Sequence, residues 1–338
     1  MLSLLVLAAA LATGDTTATA PASAPPGTAP VPASPAMPVA SSAGPTVTAA
    51  SPIKIGGYLQ VRSVGQANVG MTNTLNRARI GVEGPLPQRM SYRILVEYES
   101  PVGATTAAIV ALRDAYVRWT RAPIVITAGQ FKTPFSRQYV TSITQIETAD
   151  RATVVDTLAP KRDVGLMAEY TPRPLVALSA GVFNGEGQNA TANRDSVVLL
   201  VARAVLRPLG GIDLGASGAW NGERSQRYGL EASLERRGAL VRAEWIGQRR
   251  PGAIPDDYGW FVLGAYRVVP WLQLKVQQED FRRPAVSAKR RMGATTAGAN
   301  LDLPGGRNRV ILEYAERRTG SPFITGDQVL AQWQVRFF

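Results

Sequence analysis

Arg77 and Arg79 stand two positions apart with Glu83 at the same parity, and Arg93 with Glu97, Arg242 with Glu244, Lys275 with Glu279 and Arg309 with Glu313 repeat the theme. In an extended chain successive side chains point to opposite faces, so residues of one parity form a row. A row of guanidinium groups can hold oxyanions through paired N–H donors, or it can pair with carboxylates and brace a wall. Other chemistry has less to work with. The chain has no His and no Cys, so it lacks the commonest general base and the best transition-metal ligands. No catalytic residue, metal ligand or cofactor site is expected, and an enzyme is disfavoured.

The cations are unevenly placed. Of 338 residues, 37 are Lys or Arg and 25 Asp or Glu, for a net charge of +12. Asp15 is the one charged side chain before residue 53, so 53–338 holds all 37 basic and 24 acidic residues and is +13 by itself. Residues 1–12 are a short apolar run followed by small residues, so 1–20 is expected to be a signal peptide, although no Lys or Arg precedes the run. Residues 21–52 are uncharged and rich in Ala, Pro, Ser and Thr, a composition with too little bulky apolar surface to fold, and are expected to be a disordered linker.

From Ile53 onward apolar and polar residues alternate. Ala78, Ile80 and Val82 oppose Arg77, Arg79 and Gly81, and Val310, Leu312 and Tyr314 oppose Arg309, Glu313 and Arg317. Short turns fall at Pro85–Gln88, Arg121–Pro123, Thr171–Pro174, Pro208–Gly211, Arg236–Gly238, Val269–Pro270 and Pro304–Gly306. Longer connections lie near 66–73, 100–107, 132–161, 185–194, 221–226, 249–257, 283–289 and 318–327. Seven short turns alternating with eight long ones give sixteen strands with both ends on the short-turn side. That is the pattern of a transmembrane antiparallel β-barrel, with even strand number, short periplasmic turns and longer outer loops. The expected fold is all-β, the barrel occupying 53–338, with the apolar face against outer-membrane lipid of a Gram-negative-type envelope. The last strand alternates into Phe337 and Phe338, as barrel-assembly machinery would recognise, with Phe337 the functional end.

Charge on the lipid face of a barrel is costly, so the charged parity should face inward. The basic track expected there is Arg77, Arg79, Arg93, Arg118, Arg203, Arg227, Arg242, Lys275, Arg309 and Arg317. Glu83, Glu97, Asp114, Glu231, Glu244, Glu279 and Glu313 share the same face. The longest connection, 132–161, is the expected constriction, with Lys132, Arg137, Arg151, Lys161 and Arg162 as its cations and Glu147, Asp150, Asp156 and Asp163 beside them. Passage needs weak, multiple contacts, so no tight pocket is expected. Nucleic acid is not an expected partner, because the basic residues are spread along strands rather than gathered on one surface.

Asp114-Ala115-Tyr116-Val117-Arg118-Trp119, then Gly129-Gln130-Phe131-Lys132-Thr133-Pro134-Phe135-Ser136, then Lys161-Arg162-Asp163-Val164-Gly165 resembles the phosphate-selective porin O and P family in order and spacing. The resemblance implies a sixteen-stranded barrel, a homotrimer, a third outer loop folded into the pore, and passive uptake of small anions with phosphate foremost. The chain departs from the family in having five lysines, Lys54, Lys132, Lys161, Lys275 and Lys289, so its basic character is nearly all Arg. A general, weakly selective diffusion porin is the alternative, and a structural or adhesive barrel a more distant one.

Overall fold

A computed structural model of the protein describes residues 53–67, 69–99, 109–190, 192–222, 225–252, 256–284, 290–320 and 324–337. The expected signal peptide, the linker and Phe338 lie outside the described residues. Sixteen strands follow one another: β1 (Lys54–Gln66), β2 (Gly70–Leu86), β3 (Met90–Glu99), β4 (Ile109–Arg121), β5 (Ile124–Lys132), β6 (Arg162–Arg173), β7 (Val176–Phe183) and β8 (Leu199–Leu209). After them come β9 (Ile212–Asn221), β10 (Ser225–Arg236), β11 (Ala239–Arg249), β12 (Asp257–Val269), β13 (Leu272–Arg282), β14 (Arg291–Asp302), β15 (Asn308–Thr319) and β16 (Ile324–Phe337). Two short helices, α1 (Arg137–Val140) and α2 (Thr153–Leu158), interrupt the connection between β5 and β6.

Each strand pairs antiparallel with its neighbours, and β1 closes on β16 with Tyr58 opposite Arg336 and Val64 opposite Leu330. Closure satisfies the backbone hydrogen bonds within the wall and leaves no edge, which is what the interior of a bilayer demands. Alternation then sorts the side chains. On β10, Leu230 is 59% exposed on the outward face while its neighbour Glu231 is 8% exposed on the inward one. On β16, Trp333 lies outward and Gln332 and Gln334 are buried inward. The seven short turns fall where the sequence places them. Three of the longer connections are tighter than expected: β1 and β2 extend to leave only 67–69 between them, β9 and β10 leave 222–224, and β15 and β16 leave 320–323.

Five register shifts interrupt the ladders among the described residues, and two of them lie away from the short turns and alter the parity of the wall. Between Leu95 and Val96 the pairing of β3 with β4 skips Arg113, so Arg113 and Asp114 both turn toward the interior side. A bulge inserts one unpaired residue and re-aims its neighbours, which is why alternation alone does not find Arg113. A similar shift at Gln60/Val61 skips Asn76.

The inward face is not polar throughout. Met167, Phe183, Val201, Ile246, Phe261 and Phe281 form a buried cluster with Phe131, Phe135, Val154, Val155 and Leu158 of the β5–β6 region. The expectation that charge marks the inward face holds for part of the wall only. Where α2 packs against β11, β12 and β13, the wall meets protein instead of water and apolar side chains are favoured there.

Candidate pore constriction

The three sequence segments that carry the family resemblance converge at the β4–β5–β6 wall. Register sets Lys132 opposite Arg162, Gln130 opposite Val164 and Gly129 opposite Gly165. Gly129 has φ +124, and a Cβ there would sit 2.3 Å from the Ala115 carbonyl oxygen, so only glycine fits this approach. Arg162 Nε donates to Asp114 Oδ1 at 2.6 Å, tying the first segment to the third. The Gln130 amide donates to the carbonyls of Leu112 and Arg113, and its Oε1 accepts from the Asn189 N–H at 2.6 Å.

From this corner the segment 133–161 makes contacts around the ring. Ser136 Oγ donates to Glu244 at 2.5 Å, Gln138 N–H donates to the same carboxylate at 2.6 Å, and Arg137 N–H donates to Glu231 at 2.7 Å. Further along, the Glu147 carboxylate pairs with Arg242 of β11, and Lys275 of β13 donates to the Glu147 carbonyl at 2.6 Å. The Gln334 amide of β16 donates to the Thr144 carbonyl, while Ile143 and Ile146 pack on Tyr58 of β1. Ala149 N–H donates to Glu313 of β15, Asp150 takes Arg62 of β1 at 2.7 Å and Arg77 of β2 at 3.2 Å, and Thr153 donates twice to Glu279 of β13. Wall carboxylates thus satisfy several loop N–H groups that would otherwise be buried without partners.

The five cations expected at the constriction have different surroundings. Lys132 Nζ donates to the carbonyls of Tyr139, Val140 and Thr141 at 2.9, 3.1 and 2.9 Å. Arg151 donates to the carbonyls of Gln138, Tyr139 and Thr141, and both cations lie near the Tyr139 ring. These two hold the α1 turn together from inside the loop. Arg162 is engaged with Asp114, and Lys161 is exposed, 3.6 Å from Asp156. The Arg137 side chain makes no ion pair among the described residues; burial, with the Arg242 charge beside it, lowers its guanidinium from the usual value.

Most of the basic track faces an acid. Arg79 Nε meets Glu97 at 2.7 Å, Arg93 meets Glu83 at 2.5 Å, Arg203 meets Glu231 at 2.5 Å and Arg309 meets Asp302 at 2.6 Å. Lys275 meets Glu313 at 2.7 Å, and Arg118 lies 4.0 Å from Glu169. For three cations the acid on the same strand is not the partner that forms. Arg242 takes Glu147 rather than Glu244, Lys275 takes Glu313 rather than Glu279, and Arg309 takes Asp302 rather than Glu313. Residues two apart along a strand are separated by about 6.5 Å of backbone, whereas directly opposed residues on adjacent strands are about 5 Å apart. Arg227 and Arg317 have no carboxylate partner among the described residues.

Sequence reasoning missed Arg62, Arg113 and Arg318. Arg62 shares parity with the buried Gln60, so alternation could have found it; Arg113 needed the bulge, and Arg318 shares the parity of Leu312 and Tyr314, from which it bonds Thr295.

Comparison with known proteins follows the same lines. Comparison with curated proteins gives no match. Among solved structures, the anion-selective porin from Comamonas acidovorans superposes with a TM-score of 0.62 at 13% identity, covering 86% of this chain and 100% of that one. OmpT of Vibrio cholerae in its in-vitro folded trimer form gives a TM-score of 0.62 at 12% identity over the same shares of the two chains. The outer membrane channel DcaP of Acinetobacter baumannii gives 0.61 at 13% identity, covering 84% of this chain and 97% of that one. At such identities these likenesses establish the fold alone. The model of the family described as phosphate-selective porin O and P matches residues 60–244. With more than half of its length so matched and a closed sixteen-stranded barrel to carry it, the chain belongs to the phosphate-selective porin O and P family and is an outer-membrane porin.

Proposed function

We propose that this porin is a passive channel preferring small anions, with phosphate the leading solute, and that the segment 133–161 is the third outer loop folded inward to narrow it. The charge imbalance on the inward face carries this reading. Its carboxylates are matched by cations or by loop N–H groups, while the guanidinium groups of Arg137, Arg227 and Arg317 have no carboxylate within 4.0 Å among the described residues. Surplus positive charge along a low-dielectric wall raises the local anion concentration. An anion-selective porin among the structural neighbours supports the preference, and a trimer form among them supports a homotrimer. Export through the signal peptide and barrel-assembly machinery completes the proposal.

Planar-bilayer recording of the purified protein tests it. Under a chloride gradient the reversal potential is expected on the anion side, and added phosphate is expected to reduce chloride current. Weak selectivity with no effect of phosphate would make the arginines bracing for a general diffusion pore. Absence of channels from the folded protein would remove the transport reading altogether.

The attachment at Asp150 adds a pH dependence. Burial pushes the Asp150 carboxyl up, but the Arg62 hydrogen bond and charge, helped by Arg77, reverse this and hold it below the ordinary 3.8. A carboxylate lowered on folding contributes a grip that is complete above the ordinary value and is lost as pH falls through the lowered one. Loss of this one tie should therefore add larger-conductance excursions only in acid stronger than pH 3.8, and Asp150→Asn should show those excursions already at neutral pH. Wild-type behaviour of Asp150→Asn at neutral pH would show that Asp150 is not the tie.

A further inference from the structure

The loop does not meet the wall equally on all sides. Against β11–β13 it packs through large apolar side chains, whereas against β13–β16 it leaves a cavity of about 160 Å³. The loop side of that cavity is Asp150, Arg151 and Thr153. The wall opposite includes the small residues Gly293, Ala294 and Ala315, which leave room between the longer side chains. Arg317 and Arg318 also line it, with Glu279 and Glu313.

The three carboxylates at this cavity already have partners. Asp150 takes Arg62 and Arg77, Glu313 takes Lys275 and Ala149 N–H, and Glu279 takes the Thr153 N–H and hydroxyl. Arg318 donates to Thr295 Oγ1 at 2.6 Å, and Arg151 is bound to loop carbonyls. Arg317 differs. Its cross-strand neighbours are Ala294 on β14 and Gly326 on β16, neither of which carries an acceptor in its side chain. It is exposed, and no hydrogen bond or close ion pair reaches it among the described residues, although its charge acts on Glu279 across the cavity.

We infer that Arg317 is the selectivity-determining contact of this porin, presenting a free guanidinium to oxyanions in the gap between the 148–153 stretch and the β13–β16 wall. The inference rests on the anion-channel reading and deepens it, because it moves the solute contact from the motif lysine to this gap. Lys132, Arg151 and Arg162 have their donors directed into the protein, so a passing anion would have to compete with carbonyls or with Asp114 for them. Arg317 can offer its planar fork to phosphate or another oxyanion with nothing to displace but water. Contact with one guanidinium in an open gap also lets the anion leave, as conduction requires.

The test uses the full protein in planar bilayers, with potassium chloride and inorganic phosphate as probes. Arg317→Gln is expected to lower the anion-to-cation permeability ratio several-fold and to weaken block by phosphate. Because the chain has no native cysteine, Arg317→Cys gives a single reactive position. A sulfonate-bearing methanethiosulfonate reagent should then lower anion permeability further, and an ammonium-bearing one should restore it. The inference is overturned if wild-type protein prefers anions while Arg317→Gln leaves reversal potential and phosphate block unchanged. It is equally overturned if the introduced thiol is closed to both reagents from either side of the membrane. A wild-type channel without anion preference would overturn the functional reading itself, a different result from either of these.

Discussion

Leu158→Asp should release the inward segment and raise single-channel conductance several-fold. Leu158 is 1% exposed in α2, in a cluster with Phe131, Phe135, Phe183, Phe261 and Phe281. An ionised carboxylate has no partner in that cluster, and burying an unpaired polar group costs about 2–7 kcal/mol even before its charge is counted. The segment has modest means to resist. α2 spans six residues without a side-chain cap, far below the length at which a helix is stable alone. The Glu279–Thr153 contact contributes about 0.5–3 kcal/mol to its seat. The barrel should survive, because its closed ladder of backbone hydrogen bonds does not depend on α2. The comparison is Leu158→Met, a nearly volume-conserving change that costs less than about 1.5 kcal/mol and should leave conductance unaltered. Equal conductance in Leu158→Asp and wild type, with both barrels folded by heat-modifiable gel mobility, would show that this cluster does not hold the loop.

The second large effect is on stability. Glu97 is 2% exposed and accepts from Arg79 at 2.7 and 3.1 Å as well as from Arg113. Glu97→Ala would leave two guanidinium groups facing each other with little water, since their side chains are 11% and 18% exposed. Breaking a buried pair from one side costs about 3–5 kcal/mol, because a buried charge is left uncompensated. Glu83→Ala provides the contrast. Its pair with Arg93 is 44% and 36% exposed, and exposed pairs contribute about 0–1 kcal/mol. Urea unfolding of lipid-refolded protein should show a much lower midpoint for Glu97→Ala and a near-native one for Glu83→Ala. Similar midpoints in the two variants would mean that water reaches Glu97 freely and that its burial does not govern its cost.

Alternation and turn residues were enough to place sixteen strands, because a membrane barrel obeys a local rule. One parity must suit lipid, and each short turn needs residues that reverse the chain within a few positions. Arg77, Arg79, Glu97, Glu231 and Glu244 could therefore be assigned to the inward face without coordinates. Arg113 could not, because a bulge depends on how two strands are paired rather than on either strand's own pattern. The inward-facing Phe261 and Leu263 escaped for another reason. They sit between Trp260 and Val262, which are exposed on the outward face, so both parities of β12 are apolar and the alternation carries no signal.

The sequence by itself determined the fold class, the closure into sixteen strands and the surplus of arginine on 53–338, since each follows from residue type and local spacing. Only the tertiary structure decided which cations have partners. Lys132 lies in the most distinctive motif, yet its ammonium is bound by three loop carbonyls. Arg317 has no motif around it, yet it stands between alanine and glycine across the strands and makes no hydrogen bond or ion pair among the described residues. Pairing is a matter of distance between strands and across the barrel, to residues such as Glu147 that are far away in the chain. Those distances arise when the wall closes and the β5–β6 segment packs against it.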